Sequence, residues 1–156
     1  MASGDFDWEL QGTLFRTFKN DATIQGVGNA ANPGVNGGAP LGTVVCDFVP
    51  PGVTFPFIKI GDMDDTDLGD KSEPGSAVMA TVMVFSRAKD NDELNQICKA
   101  IRVLLHEKPV RIANGLMVLC RFHSSVNRLL SDAITRQRVL HYFFFLSENL
   151  PSTSPT

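Results

Sequence analysis

Basic stripes are missing from this chain. Its 14 Lys and Arg stand against 17 Asp and Glu, a formal net charge of −3, and no segment gathers the cations that a surface gripping nucleic acid needs to neutralise phosphates. Tight DNA binding by the monomer is therefore not expected. No apolar run reaches the roughly 18 residues of a membrane span, and the N-terminal MASGDFDWEL is acidic where a signal peptide is basic, so an intracellular chain with no membrane partner is expected. Cysteine is scarce too: Cys46, Cys98 and Cys120 are widely spaced and form no CxxC pair, which argues against a disulfide framework or a zinc site and for buried free thiols.

Catalytic signatures are equally sparse. The chain has no nucleophile elbow, no HExxH and no GxxxxGK phosphate loop. His106, His123 and His141 fall on a helix end, a strand end and a strand, with nothing to tie them to one site. No catalytic residue, metal ligand or cofactor is expected. What remains is 156 residues with 43% hydrophobic and 20% charged side chains, enough for one soluble domain with a single core.

Periodicity supplies the elements. Phe6, Leu10, Leu14 and Phe18 recur every fourth residue and predict a helix over 5–19 with Ser3 or Asp5 as its cap. Residues 22–42 are rich in Gly, Asn and Ala and predict a long mobile loop, since so few large side chains cannot offset the entropy of ordering it. Gly26, Gly28 and Ala31 imitate a dinucleotide fingerprint there, but no strand precedes them and Asn32-Pro33-Gly34 stops the helix that should follow. Two strands, 43–49 and 55–60, flank Pro50-Pro51-Gly52, with Pro56 at an edge or strand start.

The segment 61–75 carries six carboxylates against one Lys. Asp62, Asp64, Asp70 and Glu73 fit the first, third, ninth and twelfth places of a calcium loop, but the sixth place needs Gly and holds Asp67, and strands flank it where helices belong. A solvated acidic loop is the expected outcome. Residues 77–87 form the longest β signal, apolar on both faces, which implies a helix over one face and another subunit over the other. A second helix follows, capped by Asp90 with Glu93 as capping-box partner and ended by Pro109; its apolar stripe includes Leu94, Ile97, Ile101 and Leu105, and Lys99, Arg102 and His106 form a solvated face. Strands 110–112 and 116–122 join at Ala113-Asn114-Gly115, a last aromatic strand spans 137–146, and residues 149–156 form a disordered tail. The fold class is α+β: a mostly antiparallel sheet of four to five strands with two main helices packed on one face, in one domain over 1–148.

The run VCDFVPPGVTFPFIKIGD, the acidic loop, the strand ending VMVFSR, the helix DELNQICKAIRVLLHE, Pro109, the Asn-Gly hairpin and the final aromatic strand resemble, in that order, the tail-completion or tail-terminator family of long-tailed phages and related gene-transfer particles. The 24–42 segment is longer than the family pattern. The resemblance implies a structural virion protein at the tail–head interface, assembled in the host cytoplasm. Its implied partners are further copies of itself in a hexameric ring, the tail tube protein and the head connector or stopper protein, with DNA only passing through the lumen. On that reading Asp62, Asp64, Asp65, Asp67, Asp70 and Glu73, with Gly26, Gly28 and Asn36, are the partner-facing residues. A neck or head-completion component is the alternative within the virion. A small enzyme or ligand-binding α+β domain, its site assembled from residues such as Asp62, His123 and Arg136, is the alternative outside it.

Overall fold

A computed structural model describes residues 4–34, 38–66, 77–106, 108–111 and 117–146. Along the chain come α1 (Gly4–Asn20), α2 (Ala22–Ala31), β1 (Val44–Cys46), β2 (Phe57–Thr66), β3 (Ala77–Ser86), α3 (Asp92–Leu105), β4 (Pro109–Arg111), β5 (Met117–Leu129) and β6 (Arg136–Leu146). The strands form one sheet in the order β1-β2-β3-β6-β5-β4. Only β1 and β2 run parallel; the other neighbours are antiparallel. The α+β expectation holds, and the sheet has six strands because β1 and β4 add three-residue edges.

The core lies between the helices and one sheet face. Leu10, Leu14 and Phe18 of α1 and Leu94, Ile97, Ile101 and Leu105 of α3 are fully buried or nearly so, as their spacing predicts. They join Ile58, Ile60, Val78, Val82, Leu140 and Phe144 in one cluster. β6 sits between β3 and β5, where a strand apolar on both faces belongs.

The predicted 22–42 loop does not hold throughout. Its opening half, with Gly26 and Gly28, is helical. Asp21 caps that helix by accepting from the Ile24 amide at 3.0 Å, and Ile24 is fully buried. A few well-placed bonds replace the missing apolar bulk: Thr43 Oγ1 donates to the Ile24 carbonyl at 2.7 Å, Gln25 Nε2 to the Thr43 carbonyl at 2.9 Å, and Asn32 Nδ2 to the Phe55 carbonyl at 2.7 Å. The described residues therefore form three helices where the sequence indicates two.

Other boundaries also move: β1 is Val44–Cys46 rather than 43–49, and β2 starts at Phe57 rather than 55. β2 does not end at Ile60 but continues through a bulge at Gly61 and Asp62 to Thr66, so the first acidic residues are strand rather than loop. β5 does not end at Phe122 but passes a bulge at His123 and runs to Leu129. At α3 the N-cap is Asn91 rather than Asp90; Asp90 Oδ1 accepts from the Asp92 amide at 3.0 Å, and Glu93 accepts from Ser86 Oγ at 2.8 Å instead of closing a capping box. The expected Ser3 cap of α1, the rest of the expected acidic loop at 67–76 and the expected Asn-Gly turn within 112–116 lie outside the described residues, as does the expected tail.

Candidate functional site

Among the described residues no helix packs on the second face of the sheet. Side chains alternate along a strand, so with Val78, Ala80, Val82 and Val84 in the core, Met79, Thr81, Met83 and Phe85 of β3 point the other way. The pairing adds Val139, His141 and Phe143 of β6 beside them, Phe57 and Lys59 of β2 on one flank, and Leu119, Arg121 and Val126 of β5 on the other. None of these joins the core cluster, and all but Phe57 are half-buried or exposed. Phe57 stacks on Phe85 with ring centres 4.5 Å apart, and His123 meets Phe143 edge-on at 4.9 Å. In the middle, Thr81 Oγ1 lies 3.3 Å from His141 Nδ1, in the row flanked by the two bulges. The result is an apolar, aromatic face with one polar pair at its centre, of the kind that marks a contact surface.

At the end of this face the residues shared by FPFIKIGD and VFSR meet. The Arg87 guanidinium lies 4.1 Å over the Phe55 ring and its Nε donates to Thr135 Oγ1 at 3.0 Å. Ser86, fully buried, donates to Glu93 and accepts from the Ala88 amide at 3.1 Å. The signature residues thus tie β2, β3, the start of α3 and the β5–β6 turn together, which is a structural task rather than a chemical one.

Of the partner-facing residues indicated by the sequence, Asp62 and Asp64 are exposed on β2, and Asp65 lies three residues beyond the bulge on the same strand. Gly26 and Gly28 sit apart from them in α2, which packs on α3. Asp67, Asp70, Glu73 and Asn36 lie outside the described residues. The combination of Asp62, His123 and Arg136 is not brought together. Asp62 and His123 occupy bulges on β2 and β5, with β3 and β6 between them, and Arg136 opens β6, where it donates to Asn91 Oδ1 at 3.1 Å and the Lys89 carbonyl at 3.2 Å. The histidines have separate partners as well: His106 Nδ1 accepts from the Phe122 amide at 3.2 Å, and His141 faces Thr81.

The thiols are poor nucleophiles. Burial pushes Cys46 and Cys120 up from the ordinary thiol value and Cys98 up to about 11, so all three stay protonated near neutral pH. Burial raises the Tyr142 hydroxyl in the same way. Among the described residues no group of three or more His, Cys, Asp or Glu is placed to hold a metal ion.

Two of the recesses among the described residues gather charged side chains. One, of about 360 Å³, lies between α1 and β1–β2 and is lined by Glu9, Phe15, Arg16, Asp47 and Ile60 among others. The second, of about 260 Å³, lies between α3 and the β5–β6 pair and gathers Lys99, Arg102 and Arg138. Lys99 and Arg102 are exposed, as a solvated helix face requires, and they also reach this recess. Their three-residue spacing was the available signal, but Arg138 arrives only through the sheet.

A family model described as Tail completion protein gp17 matches residues 30–146. A chain of the solved structure described as "Virion of native gene transfer agent (GTA) particle" superposes with a TM-score of 0.70 at 19% sequence identity, over 89% of this chain and 95% of that one. That likeness is one of fold. No curated protein matches the chain.

Proposed function

The chain belongs to the Tail completion protein gp17 family and is a structural protein of the virion tail, and from that premise we propose that it forms a ring that caps the tail tube, ends tube polymerisation and joins the tail to the head connector. The observation that carries this reading is the helix-free face of the sheet, where Met79, Met83, Phe85, Val139 and Phe143 stand half-buried with no described helix over them. A second copy, or the tube end, would remove that surface from water. A closed ring needs each copy to offer two different patches, and the chain has them: the apolar face and the charged edges beside it. The acidic balance of the chain suits a lumen through which DNA passes without sticking. The reading assigns the protein no reaction.

Electron microscopy of the tube protein polymerising with and without this chain tests the proposal. Wild type should sit at one end of each tube and stop its growth, and Phe143→Asp, which puts a charge on the bare face, should leave tubes growing. Tubes that lengthen unchanged in the presence of wild type, with no density at their ends, would overturn it.

A further inference from the structure

The recess between α3 and the β5–β6 pair gathers three cations. Lys99, Arg102 and Arg138 line it with the polar Asn95, Ser125 and Tyr142 and the apolar Phe122 and Leu140, and no carboxylate is among its described lining residues. Arg102 is steered by the Phe122 ring, 4.4 Å below its guanidinium, and Arg138 by Asn127 Oδ1, to which its Nε donates. Tyr142 also lines the recess; it is wholly buried, and its hydroxyl has no hydrogen-bond partner among the described residues. Three like charges held around about 260 Å³ repel one another, so an anion seated among them is favoured twice, by attraction and by relief of that repulsion.

The anions are on the other side of the same molecule. Asp62 and Asp64 are exposed on β2. β1 pairs with β2 only as far as Lys59, so the outer edge of β2 from Ile60 to Thr66 has no strand partner among the described residues. Within one copy the two features are kept apart: β2 and β5 are separated by β3 and β6, three strand spacings or roughly 14 Å. We infer that the recess receives carboxylates from the acidic edge of β2 of a neighbouring copy, as a charge-matched head-to-tail joint. The inference rests on the ring reading and sharpens it: the two patches differ, lie toward opposite edges of the sheet and carry opposite charge, which is what a heterologous contact that closes into a ring requires.

Sedimentation velocity of the full chain at about 0.1 M salt, with circular dichroism to confirm folding, tests the joint. Lys99→Glu/Arg102→Glu and Asp62→Lys/Asp64→Lys should each weaken self-association by at least about tenfold, and an equimolar mixture of the two should restore it, because each reversed patch then meets an opposite one. The restoration also guards against misfolding, since an unfolded variant could not rescue its partner. Folded variants that assemble alone as wild type does, or a mixture that stays dissociated, would overturn the joint while wild-type assembly left the ring reading standing. A wild type that is monomeric even with tube protein would overturn both. Inorganic phosphate binding to wild type and lost in Lys99→Glu/Arg102→Glu, with assembly unchanged by either reversal, would overturn the joint in favour of a small-anion site.

Discussion

At Gly28 a methyl group would stand 2.1 Å from the Thr43 amide nitrogen and 2.3 Å from the Gly42 carbonyl carbon, whereas at Gly26 nothing lies within 4 Å. Both glycines are in α2, so they separate two effects that composition confounds. Gly28 is where the returning chain crosses the helix, and any side chain there must push the 42–43 backbone away. Gly26 faces solvent and only weakens the helix. Urea unfolding should show Gly28→Ala destabilising the protein by roughly 1–3 kcal/mol or more and Gly26→Ala stabilising it by about 0.5–1 kcal/mol. Equal effects at the two positions would mean that α2 does not pack against the 42–43 strand entry. The signature residues carry the same lesson. Phe55, Phe57, Phe85 and Arg87 stand out in the sequence because they hold β2, β3 and the β5–β6 turn together.

The elements differ in how plainly the sequence announces them. α1 and α3 were legible because each buries a stripe at helical spacing, and β3 and β6 because both are apolar on alternate faces. α2 was not, since Ile24 is its one large fully buried side chain and its other anchors are polar groups bonding to distant backbone. The second half of β5 was hidden for a related reason: Ser124 to Leu129 are largely exposed on both faces and lack the alternation that marks a strand. What holds that half in place is its register with β6 and the turn that joins them. There Asp132 accepts from Thr135 Oγ1 at 2.6 Å, from the Thr135 amide at 2.8 Å and from the Ile134 amide at 2.9 Å, with Arg87 at 3.8 Å. These bonds, the Thr135 hydroxyl first among them, hold the Asp132 carboxyl down at about 2. Because the folded value lies below the unfolded one of about 4, its contribution is present above about pH 4 and is lost as pH falls toward about 2. The thermal midpoint of Asp132→Ala should lie below that of wild type at pH 7 and converge on it near pH 2; a gap that is constant across that range would remove the carboxylate from the account.

For the whole molecule, the asymmetry between the two sheet faces is the fact that function must explain. All three helices are spent on one face, where they complete a single core. The other face keeps Phe85, Phe143 and two methionines in reach of water, around the Thr81–His141 pair. The sequence implied that asymmetry through the two-faced apolar strands, and the resemblance supplied the kind of partner. It could not place the cationic recess, whose residues come from α3, β5 and β6 and meet only in the fold. The most direct test of the account is the mass of the purified full chain by native mass spectrometry, beside that of Phe143→Asp. The account predicts a closed assembly of one defined copy number for wild type and its loss in the folded variant. A wild type that remains monomeric at every concentration and in the presence of tube protein, or a variant that assembles unchanged, would contradict it.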